Sequence, residues 1–171
     1  MKQILLALIL LFPFSEVPNE EINKEITVNG RTILYGQINR EGLTSNSYAG
    51  WFNLVYNRYE LNTEIVLQVK QAQLKGLTVK LFMGTWCGDS QRNVPVFYKF
   101  IDQLKISENQ IDAWALDLGK KGPNAEQATY NISRVPTIIF YRNGKEIGRF
   151  IERPKPGEKL EQLWVDIINE N

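Results

Sequence analysis

Cys87 is the only cysteine in the 171 residues, and the chain has no histidine. These facts exclude serine–histidine and cysteine–histidine catalysis, zinc sites that need several His or Cys ligands, and any intrachain disulfide. No Asp/Glu run has the spacing of a calcium loop. What remains is a thiol in the run Gly84-Thr85-Trp86-Cys87-Gly88-Asp89-Ser90. An apolar, β-rich stretch from Leu77 to Met83 precedes it, and Val94, Phe97, Tyr98, Ile101 and Leu104 follow at helical spacing. That order reads as strand, tight turn, helix. A cysteine at a helix start lies beside unpaired backbone N–H groups and the positive end of the helix dipole, both of which stabilise an anion. The spacing therefore points to a nucleophilic thiol, with Ser90 and the amides of Asp89 and Ser90 as donors to the sulfur. Asp89 opposes ionisation, and with Arg92 it reads as a solvated helix-start charge. The competing reading makes Cys87 an inert, buried small residue.

The elements that must hold this turn are also legible. Asn29-Gly30 between Ile26, Val28, Ile33 and Tyr35 marks a β-hairpin within residues 26–37, because both turn residues tolerate positive φ. Gly42 to Ser47 reads as loop. Trp51, Phe52, Val55, Tyr56 and Tyr59 form one face of a helix, best explained as core. A second helix is expected from Thr63 to Leu74, stopping near Gly76. After the central strand–turn–helix come a strand over 111–118, a helix over 124–130, a strand over 137–141, a turn at Asn143-Gly144 into a strand over 146–151, and a helix over 158–168. Alternating strands and helices that finish in a hairpin predict an α/β sandwich with a mixed sheet.

At these residues the chain resembles the thioredoxin family, in particular exported bacterial thioredoxin-like proteins that carry Thr-Trp-Cys-Gly-Asp-Ser. The resemblance runs from Leu77 to Ile168. Trp86-Cys87-Gly88 fits the front of the Trp-Cys-x-x-Cys motif, Pro95 fits the helix-kinking proline, and Val135-Pro136-Thr137 fits the loop whose cis proline faces the sulfur. The resemblance implies a thioredoxin-like three-layer α/β sandwich with a central mixed β-sheet, plus an N-terminal hairpin and helical extension. It implies Cys87 and Ser90 as the catalytic pair of positions, and Trp86, Val135 and Pro136 as substrate-binding residues. Two departures stand out. Ser90 occupies the second cysteine's place, and Leu81 the place of the buried acid. A serine cannot form the internal bridge that expels product from a mixed disulfide. The implied function is a monothiol protein of thiol–disulfide exchange, acting on cysteine-containing proteins or mixed disulfides with an external thiol as reductant and no cofactor or metal. The alternative is a non-catalytic binding or chaperone-like module on the same fold.

Twenty Lys and Arg against nineteen Asp and Glu give no basic field for nucleic acid. Lys2 followed by the apolar run Ile4 to Phe12 matches a secretory signal and is too short to span a bilayer. The expected organisation is a signal peptide over 1–15, an extension over 16–76 packed on the domain, and a thioredoxin-like domain over 77–171. The mature protein is expected in the periplasm or outside the cell, with no stable membrane span after processing and an uncleaved N-terminal anchor as the alternative.

Overall fold

The structure, a computed structural model, describes residues 21–45 and 47–170, so the expected signal segment lies outside the described residues. A hairpin opens the fold: β1 (Glu25–Val28) and β2 (Arg31–Leu34) pair antiparallel around Asn29 and Gly30, whose φ values are 51° and 72°. Gly36, at φ 91°, then redirects the chain into β3 (Gly36–Ile38). β3 does not extend the hairpin; it joins the central sheet, antiparallel to β5 (Ile111–Ala115). The five-stranded order is β3-β5-β4-β6-β7, with β4 (Leu77–Met83), β6 (Thr137–Arg142) and β7 (Lys145–Ile151). β4 is parallel to β5 and antiparallel to β6, so the sheet is mixed as expected.

Six helices accompany these strands among the described residues: α1 (Arg40–Leu43), α2 (Ala49–Arg58), α3 (Thr63–Val66), α4 (Gly88–Gln103), α5 (Glu126–Thr129) and α6 (Leu160–Asn169). The apolar stripe of α4, including Val94, Phe97, Phe100 and Ile101, is buried with Val79 and Leu81 of β4, Phe140 of β6 and Trp164 of α6 in the main core. Phe97 meets Phe140 and Trp164 edge-on at centroid distances of 6.2 and 5.6 Å. α2 lies against α4 through Phe52, which is 2% exposed and tilts on Tyr98 at 5.7 Å. The expected aromatic face of residues 51–59 is thus core. On the opposite face of the sheet, Phe82, Leu116, Ile132, Val135 and Ile139 form a second buried cluster beneath Trp86 and Cys87.

Three elements are shorter than the pattern predicts. The helix expected over 63–74 is α3 and a separate 3-10 turn, Gln71–Leu74. Asn169 separates them: its Nδ2 donates to the Gln68 carbonyl at 2.9 Å, and its Oδ1 accepts the Lys70 N–H at 3.2 Å. The helix expected over 124–130 is the single turn of α5, because Ala125 and Asn131 have φ values of 58° and 55°, outside the right-handed helix. β5 stops at Ala115 rather than Leu118. Asp117 turns the chain, accepting the Lys120 N–H on its carbonyl and the Lys121 N–H on Oδ1, both at 2.8 Å. Gly42 and Leu43, read as the start of a loop, are instead the end of α1, which is capped by Asn39 Oδ1, accepting the Gly42 N–H at 3.2 Å.

Candidate functional site

β4 ends at Met83, and the chain reverses through Gly84 to Trp86 before α4 begins. The Cys87 N–H donates to the Gly84 carbonyl at 2.9 Å, closing a turn, and the Cys87 carbonyl accepts the Gln91 N–H at 2.9 Å as the first helical bond. Cys87 is therefore the residue that caps α4, with extended φ and ψ of −89° and 122°. Gly84 is required here by space: a Cβ on it would lie 2.6 Å from Cε2 of Trp86. The Trp86 indole is pinned over that glycine by a bond from Nε1 to the Leu116 carbonyl at 3.0 Å. Gln91 ties the turn down from the helix side, its Nε2 donating to the Thr85 carbonyl at 2.7 Å.

The structure brings Trp86, Cys87, Val135 and Pro136 together. The Val135–Pro136 bond is cis, and the Cys87 thiol donates to the Val135 carbonyl at 3.3 Å. Cys87 is partly buried and free of any disulfide. The proline loop is held from behind: the Pro136 carbonyl accepts the Glu152 N–H at 2.7 Å, Thr137 Oγ1 donates to the Arg134 carbonyl at 2.7 Å, and Asn93 Nδ2 of α4 donates to the Glu152 carbonyl at 2.8 Å. Ser90 is fully buried, and its Oγ accepts the Gly84 N–H at 3.2 Å. Its hydroxyl oxygen thus fastens the turn, while the sulfur's own partner is Val135. Asp89 and Arg92 form an ion pair with each other, with Arg92 67% exposed, which fits helix-start charges. Leu81 is buried in the main core. Among the described residues no cluster of His, Cys, Asp or Glu could hold a metal ion, and no helix is long and apolar enough to cross a membrane.

Residues 44–165 match a family model described as Thioredoxin. The chain belongs to the thioredoxin family. This thioredoxin-family chain is 32% identical over 75 residues to Thioredoxin-1 of Saccharomyces cerevisiae, a match covering 44% of this chain and 67% of the yeast protein. It is 24% identical over 96 residues to a thioredoxin of Chlamydia pneumoniae, covering 56% and 83% of the two chains. The X-ray structure of Fasciola hepatica thioredoxin is similar at 24% identity with a TM-score of 0.40, covering 58% of this chain and 86% of that one. The architecture is a thioredoxin-like α/β fold with a central mixed sheet.

Two features of the site were not foreseen from sequence. The hairpin reaches the turn directly, since the Leu34 N–H donates to Thr85 Oγ1 at 3.2 Å, both groups being buried. The Asn93–Glu152 bond couples α4 to the end of β7 beside the proline loop. Polar Asn93, at helical spacing from apolar Phe97 and Phe100 of α4, was the available sign of a side chain with an inward partner.

Proposed function

We propose that this thioredoxin-family protein takes part in thiol–disulfide exchange through Cys87 alone. The observation that carries the reading is the Cys87 thiol 3.3 Å from the Val135 carbonyl beside Pro136, with Ser90 where a resolving sulfur would stand. Deprotonated Cys87 attacks one sulfur of a substrate disulfide. A bond from Cys87 to that sulfur forms, the original S–S bond breaks, and the departing thiolate takes up the proton that Cys87 gave up. Ser90 cannot repeat the attack from within. An external thiol must cleave the mixed disulfide, returning Cys87 to the thiol and leaving with the substrate sulfur in a new disulfide. Trp86, partly exposed, is the contact surface beside the sulfur, and the buried loop of Val135 and Pro136 backs the approach to Cys87 as the backbone that an extended substrate segment meets when it displaces the thiol from the Val135 carbonyl. The substrate class is cysteine-containing proteins and mixed disulfides.

The test is to incubate the reduced protein with a peptide disulfide and follow adducts by mass spectrometry without reductant. A Cys87 adduct that persists until a small thiol is added supports the reading. Release of fully reduced peptide without added thiol, or no adduct on Cys87, overturns it. Export belongs to the same proposal, supported by the charged start and the apolar run Ile4 to Phe12. Mass spectrometry of the protein from expressing cells should find the N-terminal run removed, and an intact Met1 in the membrane fraction counts against it.

A further inference from the structure

The hairpin, the start of α2 and the active-site turn enclose a cleft of about 370 Å³ on the Trp86 side of Cys87. Arg31 of β2, Tyr48 and Trp51 at the head of α2, and Trp86 and Gln91 from the turn and helix supply its walls. Segments far apart in sequence meet there because Thr85, inside the turn, accepts the buried Leu34 N–H from the hairpin. The cleft is therefore an extension of the active-site surface, with Trp86 shared between the two. Among the described residues that line it, Arg31 alone is charged. Arg31 is exposed and forms no ion pair with the described residues. Glu25, the acidic residue of β1 and β2, interacts with the Tyr48 hydroxyl and does not itself line the cleft. The rings of Trp51 and Trp86 give apolar walls on which a polypeptide can rest while Arg31 meets a negative group.

We infer that this cleft is a specificity subsite for an acidic side chain of the polypeptide whose disulfide Cys87 attacks, with Arg31 as the residue that selects it; the inference rests on the exchange reading above. An extended chain advances about 3.3 Å per residue and Gln91 lies one helical turn, about 6 Å, beyond Cys87, so an acidic residue about two to four positions from the substrate cysteine reaches the cleft. A planar guanidinium suits a carboxylate because it offers paired N–H donors in a fixed fork.

Two measurements test it. In the first, peptides whose single cysteine is a 2-thiopyridyl mixed disulfide carry Asp, Ala or Lys at such a position. Exchange with Cys87 is followed by release of 2-thiopyridone, one S–S bond forming as one breaks. In the second, calorimetry measures binding of the S-methylated peptides to Cys87→Ser, which needs no chemistry. The expected preference for Asp over Lys is about fivefold, the size of one partly exposed ion pair. It should fall to about one in Arg31→Ala, invert in Arg31→Glu, and fade near 1 M salt, where the screening length is about 3 Å. Lys145→Glu, a charge reversal at an exposed position outside the cleft, should leave it unchanged. Equal rates and affinities for the Asp and Lys peptides, or a preference indifferent to Arg31, overturn the subsite even if Cys87 exchanges rapidly. A binding preference that follows Arg31 without exchange upholds the subsite and overturns the exchange reading instead.

Discussion

Cys87 and Ser90 are three positions apart at the head of α4, yet the fold uses them differently. The sulfur is partly exposed and faces the proline loop, whereas the hydroxyl is buried and holds the Gly84 N–H. Replacing Cys87 with serine should abolish mixed-disulfide trapping and leave stability within about 1 kcal/mol, since a small group changes at a partly exposed site. A much larger loss of stability would show that the sulfur also holds the proline loop in place. Ser90→Cys is the informative converse. Cα atoms three apart at a helix start lie about 5 Å apart, inside the Cα range of a disulfide, so oxidation should remove both thiols and convert the protein into a dithiol couple. The cost is the Gly84 bond, about 1 kcal/mol. Thiol titration before and after oxidation measures the bridge, and two reactive thiols surviving oxidant would show that the turn holds Ser90 out of reach. Gly84 offers a second handle. A Cβ there would meet the Trp86 ring so closely that Gly84→Ala should displace the indole from Leu116. Tryptophan emission should shift toward that of an exposed indole and trapping should slow; an unchanged spectrum would mean that the turn yields elsewhere.

At the level of whole elements, one buried carboxylate is a principal tie between the segment after α2 and the C-terminal helix. Glu161 on α6 is 2% exposed, accepts the Tyr59 hydroxyl at 2.8 Å and the Asn62 N–H at 3.0 Å, and so fastens the chain between α2 and α3 to the C-terminal helix. Lys99 of α4 adds bonds to the Tyr56 and Tyr59 carbonyls at 2.9 and 2.7 Å. Glu161→Ala leaves the Tyr59 hydroxyl and the Asn62 N–H without their partner and should cost about 2–4 kcal/mol, read as a lower urea midpoint with little change in slope. Glu161→Gln keeps an acceptor and should cost less than half as much; equal losses would assign the effect to charge rather than to hydrogen bonding. None of this was visible in the sequence. The pattern around Cys87, Pro95, Val135 and Asn143-Gly144 made the central elements readable because strand alternation and helical spacing are local signals. β3 escaped because its three residues begin with a left-handed Gly36, and the helix expected over 63–74 broke at bonds from Asn169, about a hundred residues away along the chain. The Arg31 cleft depends on three separate segments and leaves no linear trace.

At the scale of the whole molecule, the main core runs unbroken from the extension through α4 to the sheet, and Tyr98 sits at its seam. It is 2% exposed, tilts on Phe52 of α2, and carries the Arg40 guanidinium 4.7 Å above its ring. Arg40 in turn forms bonds of 2.8 and 2.7 Å to Asp102 and an ion pair to Glu108, so α1, α4 and the turn before β5 converge on this ring. Burial, and after it the Glu108 charge, raise the Tyr98 phenol above its ordinary 10.0, against a smaller opposing pull from Arg40. A raised phenol keeps its proton in the folded state after the unfolded chain has lost it. Its contribution is thus complete below pH 10 and declines as pH climbs above it, because the folded state then binds more protons than the unfolded state. The decline should be about 1.4 kcal/mol per pH unit for this group. Tyr48 and Tyr59 are shifted the same way, so the total alkaline loss is steeper than one tyrosine explains. Comparing wild type with Tyr98→Phe isolates the term. Urea unfolding from pH 8 to about 12 should give a constant stability difference below pH 10 and, above it, a wild-type curve that falls faster by about 1.4 kcal/mol per unit. Parallel curves across the whole range would mean that Tyr98 ionises in the folded protein as readily as in the unfolded chain.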